Sequence, residues 1–186
     1  MHITRHTQIY GFTLVEVLVA VSILSISILA TFTAVSNAMR ATNFTEDQTV
    51  AYYLADEALE YIRHKRDSNA IAHISALATG GSVGWLTGVA QVAGDPCSTG
   101  KVCYVDVAAN TIATCSSTAA SCPSLLYNST SGIYGYVSGS TTQYKRSITI
   151  TSISATEVSV VVQVSWTAQS VTKNYTQTLV LRNWAQ

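Results

Sequence analysis

Charge is scarce in this sequence. Lys plus Arg number 10 and Asp plus Glu number 10, so charged residues make up 11% of the 186 positions and cancel to a net charge of zero. No global field draws nucleic acid or anionic lipid in bulk, which excludes the strongly basic binding classes. Catalytic constellations are missing as well. His64 and His73 have no companion nucleophile or carboxylate at a recognisable spacing, and the acidic residues gather on one stretch that a solvated helix face explains. No enzyme activity and no cofactor are expected. A phosphate-binding loop is also lacking: Gly94 and the Gly100, Lys101 pair are separated by five residues rather than four, and Val102 stands where Ser or Thr is required. Cysteine occurs four times, at Cys97, Cys103, Cys115 and Cys122, with five residues between the first two and six between the last two. Zinc sites use two to four intervening residues and often a nearby His, so no metal is expected. An even set in an exported domain predicts disulfides. Three connectivities are open, of which pairing sequence neighbours is the simplest, and a reducing compartment would predict thiols instead.

What the chain does have is one long apolar run near its start. From Gly11 to Val35 it reads GFTLVEVLVAVSILSISILATFTAV, and Glu16 is the only formal charge in it. A helix needs about 20 apolar residues to cross the hydrocarbon core. From Val17 to Val35 the only interruptions are Ser22, Ser25, Ser27, Thr31 and Thr33, hydroxyls that can bond back to the helix's own carbonyls. The run is long enough to span. Before it stands a short polar segment, MHITRHTQIYG, with Arg5, His2 and His6. A secretory signal would place its cleavage site after the apolar run, at small residues, and discard the run. Here the distinctive residues come before it.

Gly11, followed by Phe12, Thr13, Leu14, Val15 and Glu16, resembles the leader junction of type IV prepilins and type II secretion pseudopilins. In that family a membrane-embedded aspartyl peptidase cuts after the glycine on the cytoplasmic side and methylates the new amino terminus. The resemblance implies that Gly11 ends the leader, that Phe12 is the mature, methylated first residue, and that Glu16 is the acidic fifth residue used in assembly. A carboxylate deep in a bilayer costs on the order of 3 kcal/mol on insertion scales, less at the edge of the span. The ammonium of Phe12 on a neighbouring subunit can offset it, and in the family this pairing is thought to register subunits during extraction from the membrane.

The helical pattern continues beyond the run. Asn37 to Asp67 contains no Pro or Gly; Ala51, Leu54, Ala58 and Ile62 recur at helical spacing, while Glu46, Asp47, Asp56, Glu57, Glu60, Arg63 and Lys65 fill other faces. Phe12 through Arg66 thus predicts one helix on the order of 80 Å long. Its second half would lay an apolar stripe against a head. The Arg63, His64, Lys65, Arg66 cluster then sits at a helix C-terminus, where cations complement the dipole. Residues 68 to 100 read as a transition, with a short helix over Asn69 to Ala78 and glycines at 80, 81, 84, 88 and 94 breaking regular structure. From Lys101 the period becomes two. Strands are predicted over Lys101 to Val107, Gly132 to Ser138, Gln143 to Thr151, Glu157 to Thr167 and Lys173 to Trp184, the last three forming an antiparallel meander whose apolar face covers the helix stripe. Asn128, Ser129 and Thr130 form a glycosylation-type sequon, to which little weight attaches.

LADEALEYIRHKRDSN at 54–69, GIYGYVSGSTTQYKRSITIT at 132–151, and VSVVVQVSWTA followed by YTQTLVLRNW at the end look like minor pilins often called type IV pilus modification proteins. In that group the last strand closes on Asn-Trp, here Asn183 and Trp184. The implied fold is α+β and type IV pilin-like: a long N-terminal helix, transmembrane in its first half, packed on an antiparallel β-sheet head. The implied organisation is a leader at 1–11, a transmembrane or filament-core half helix at 12–36, and an amphipathic half at 37–67. A cysteine-bearing connecting region at 68–131 and the sheet of the head at 132–186 complete it. The implied function is a minor pilin, cut by a prepilin peptidase and assembled into an extracellular pilus, in priming or at the tip. Its implied partners are a major pilin and other minor pilins, the peptidase and methylase, the inner-membrane assembly platform, and membrane lipid before assembly. The precursor would be a single-pass cytoplasmic membrane protein. Two alternatives stay open: a minor pseudopilin of a secretion or DNA-uptake system, and a signal-anchored surface protein that never polymerises.

Overall fold

A computed structural model describes residues 11–115, 118–168 and 170–184. Residues 1–10, including His2, Arg5 and His6, which the sequence reading assigns to a leader, lie outside the described residues. The chain divides into two units, residues 1–45 and 46–186, and one helix, α1 (Leu14–Leu77), contributes to both.

In the first unit α1 follows from composition alone. No Gly or Pro occurs from Phe12 to Thr79, so nothing breaks the backbone ladder. Thr13 caps its start: the Glu16 N–H donates to Thr13 Oγ1 at 3.2 Å, and Val17 N–H donates to the Thr13 carbonyl at 3.2 Å. That satisfies one of the orphan donors of the first turn. The hydroxyls of the apolar run bond their own helix as expected. Ser22 reaches the Leu18 carbonyl at 2.7 Å, Ser25 that of Val21, Ser27 that of Ile23, Thr31 those of Ser27 and Ile28, and Thr33 that of Leu29.

In the second unit α1 runs further than the sequence predicts. It does not stop near Asp67 and restart at Asn69 but continues unbroken to Leu77. Its end is fixed by Gly80 at φ +75°, with Gly81 N–H donating to the Ala76 carbonyl and Gly80 N–H to that of Leu77. This is the left-handed glycine closure of a helix C-terminus. The Arg63 to Arg66 cluster therefore lies inside the helix, and the last turn carries no cation. Its charges are held locally instead. Arg63 pairs with Glu60, Arg66 with Asp67, and Lys65 Nζ sits 5.7 Å over the Tyr61 ring.

Among the described residues seven strands follow: β1 (Val102–Asp106), β2 (Thr111–Thr114), β3 (Ser124–Asn128), β4 (Ile133–Gly135), β5 (Ser140–Ser152), β6 (Glu157–Ala168) and β7 (Val171–Arg182). All pairings are antiparallel, giving an α+β, pilin-like architecture of one long N-terminal helix with a downstream sheet. β5 organises the sheet. Along one edge it pairs β3 through Ser140 to Lys145 and then β1 through Ile148 and Thr149; along the other it pairs β6, which pairs β7. The meander of the last three strands matches the sequence reading. β2 and β3 were not foreseen, so the stretch read as connecting loop contains three strands and the tail of α1.

The inward positions of β6, Val158, Val160, Val162, Val164 and Trp166, are all buried, and with Ile148, Ile150 and Leu181 they join the helix stripe Ala51, Leu54, Ala55, Ala58, Leu59 and Ile62 in one core. Burying a side chain the size of Val or Ile stabilises by about 1.5–3 kcal/mol. Three alanines on the stripe leave little bulk between helix and sheet. Leu86, Val89 and Cys97 from the loop after α1 complete the core. Disulfides join Cys97 to Cys103, Cα atoms 5.2 Å apart, and Cys115 to Cys122, Cα atoms 4.8 Å apart.

Candidate assembly segment

The residues singled out by the sequence stand together at the start of α1. Gly11 and Phe12 precede the helix in extended chain, and Glu16 falls in its first turn, where a carboxylate suits the positive end of the dipole. The fold makes no demand for glycine at 11. A Cβ added there meets nothing within 4 Å, and its φ is not in the left-handed range.

Phe12 is 81% exposed, and Leu14, Val15, Leu18, Ile23, Leu24, Ile26, Leu29 and Phe32 are each at least 59% exposed. The apolar stretch within α1 has a mean hydropathy of 2.4 over an 18-residue window, none of it buried. An uncovered apolar surface of this size needs lipid or other protein around it. With the serine and threonine hydroxyls satisfied internally, Glu16 is its one group demanding an external partner. No ion pair reaches Glu16 among the described residues.

In the head, polar contacts anchor the helix to the sheet, and these escaped the sequence reading. Arg146 on β5 is fully buried. Its Nη1 donates to Glu57 Oε2 at 2.6 Å and to the Leu54 carbonyl at 2.8 Å, and its Nη2 donates to the Val105 carbonyl on β1 at 2.7 Å. One guanidinium thus ties three elements, a use suited to its fixed fork of donors. The signal was one of phase: Tyr144, Ile148 and Ile150 mark the inward set of β5, and Arg146 is in step with them. Asp106, also buried, accepts N–H bonds from Ala109 and Tyr136, both at 3.1 Å, holding the β1–β2 turn against β4. Further contacts run along α1. Asp47 accepts from Gln143 Nε2 and from the Tyr144 hydroxyl at 2.9 Å, Tyr61 donates to Asn110, and Trp184 Nε1 donates to Asp67 at 3.1 Å. Burial, and then the bond to Asp47, holds the Tyr144 phenol well above its ordinary range. Burial likewise pushes Tyr136 up to about 12, against the pull of the neighbouring Arg146.

Residues 8–32 match the family model for the prokaryotic N-terminal methylation motif, the type IV pilin signature. The match covers Gly11, Phe12, Glu16 and most of the apolar run. No curated protein and no solved structure matches the chain. Motif and apolar helix together fit a membrane-anchored precursor.

Proposed function

We propose that this chain is a minor type IV pilin: cut after Gly11, methylated at Phe12, and assembled through α1 into an extracellular filament, where it acts in priming or at the tip. The observation that carries this reading is the coincidence of three features on one segment. The methylation motif lies over residues 8–32, the apolar helix behind it is wholly uncovered, and Glu16 is the single charge within that surface. A prepilin peptidase explains why glycine stands at 11 although the fold does not need it. Extraction from lipid into a bundle of like helices explains the uncovered surface: neighbouring subunits replace the bilayer, and the Phe12 ammonium of one answers Glu16 of another. The chain is a substrate and a structural subunit rather than a catalyst. Its partners in this reading are the major pilin, other minor pilins, the peptidase and methylase, and the inner-membrane assembly platform.

Glu16→Ala tests it. The variant should insert in the membrane at normal levels and be at least tenfold depleted from sheared filaments. Normal incorporation would remove the assembly role from Glu16. A pseudopilus subunit would share every feature of this segment, and immunogold labelling of isolated pili separates the two.

A further inference from the structure

Three turns of the head meet beside Asp106 and leave a cleft of about 300 Å³ between them. The β1–β2 turn supplies Ala108 and Ala109, the β3–β4 turn Ser131, and the β4–β5 turn Val137 and Ser138. Asp106 lines the cleft with 3% of its surface exposed. Among the described residues no cation pairs with this carboxylate. The N–H groups of Ala109 and Tyr136, one on each oxygen, offset its charge and leave both oxygens with acceptor capacity. Gly135 leaves room beside it. The backbone there is outside the left-handed range, so conformation does not call for glycine. A Cβ at 135 would lie 3.3 Å from Asp106 Oδ1 and 3.6 Å from Ala108 Cβ, inside the cleft. The rim is polar as well. Asn128 Oδ1 accepts from the N–H of Thr130 and Ser131 at 3.0 and 3.3 Å, which fixes the amide so that its Nδ2 donates to Ser138 Oγ at 3.2 Å. Ser138 accepts in that bond and keeps its own hydrogen to give, and Nδ2 keeps a second. Ile133 and Val137, 47% and 79% exposed, add apolar wall.

These groups select among ligands by charge and by hydrogen bonding. None of the lining residues is Lys, Arg or His, so an anion would meet Asp106 with no cation to hold it. A wholly apolar ligand would cover the carboxylate and the rim donors without answering them. A metal ion would find one carboxylate, already turned toward two N–H groups, and no cluster of three or more His, Cys, Asp or Glu occurs among the described residues. What fits is an uncharged molecule with several hydroxyls and a C–H face. One hydroxyl donates to Asp106 in a charge-assisted bond, others accept from Ser138 and Asn128, and the C–H face lies on Ile133 and Val137. We propose that this cleft binds a neutral sugar residue. Its volume is at the small end of ligand sites and has room for one ring. The site lies wholly in the head and does not depend on the filament reading.

The test uses the full-length chain in a polyoxyethylene detergent, so that no sugar head group competes. The methyl glycosides of glucose, galactose, mannose and N-acetylglucosamine are titrated in turn and followed by saturation-transfer NMR. At least one should bind saturably, with a Kd in about the millimolar range for a ligand of so few atoms. Gly135→Ala, which places a methyl group beside Asp106, should weaken that binding at least tenfold. Ser138→Ala removes one exposed hydroxyl and should weaken it about fivefold, the worth of a single hydrogen bond; it decides the matter if Gly135→Ala lowers the melting temperature. Failure of all four glycosides to bind overturns the proposal, and so does binding indifferent to Ser138→Ala. A chain that takes methylammonium chloride and none of the glycosides overturns it too, by assigning the cleft to a cation.

Discussion

Arg146 shows how much a single side chain holds together. A guanidinium with no exposed surface, bonded to a carboxylate and two carbonyls on different elements, leaves those acceptors stranded when it is removed. Breaking a buried pair from one side costs about 3–5 kcal/mol. Glu57 keeps a third of its side chain exposed and can rehydrate, so Arg146→Ala should destabilise by about 3 kcal/mol. Urea unfolding of the detergent-solubilised chain, followed by fluorescence of the buried Trp166, measures it. At the other end, Gly11→Leu should fit the chain without strain, since a Cβ there meets nothing, yet block processing. A precursor retaining the leader is expected in mass spectra; Phe12 as the amino terminus of that variant would refute the cleavage assignment. Tyr136 gives a pH signature. Its phenol is raised from 10.0 to about 12 in the fold, so its contribution is fully present below pH 10 and is lost as pH rises through about 12. Tyr136→Phe should flatten the decline in stability over that alkaline window, read from melting temperatures between pH 9 and 12.

Among the elements, α1 and β6 were legible because each repeats its period many times. β6 alternates five buried positions with half-exposed ones that are polar apart from Val161, and α1 places Ala51, Leu54, Ala58 and Ile62 on one stripe. β2 and β3 were not legible. They are as short as β1, with four and five residues, but they lie in a stretch where Ser, Thr and Ala suit loop and strand equally. The helix runs past the basic cluster because cations there complement a helix end without making one, and no Gly or Pro occurs between that cluster and Gly80. Arg146 was passed over because arginine on a strand is ordinarily read as solvent-facing, although its phase put it inside. The cysteine region shows what a short staple contributes. Closing a loop of about seven residues stabilises by roughly 2 kcal/mol in the chain-entropy account, and Cys97 and Cys103 are core residues as well. Replacing both by Ser should lower stability by at least about 2 kcal/mol. Thiol labelling of the native exported head should find none of the four cysteines reactive, and four freely alkylated thiols would exclude the bridges.

Across the molecule, the two units meet different solvents. The head encloses one apolar core, whereas the first unit buries none of its described residues. Full-length protein should accordingly partition into the detergent-rich phase on Triton X-114 separation. Recovery in the aqueous phase would argue that something in the chain covers α1. Zero net charge removes the field of a net charge, so in the proposed filament recognition between subunits would fall to local groups, Glu16 foremost. The serine and threonine hydroxyls along the apolar run carry a mechanical corollary. Each is already spent on a carbonyl of its own helix, so a bundle gripping this surface has no interhelical hydrogen bonds to break when one helix slips along its neighbour. Such a bundle would yield under tension and recover, held in gear by one carboxylate near the end of each rod.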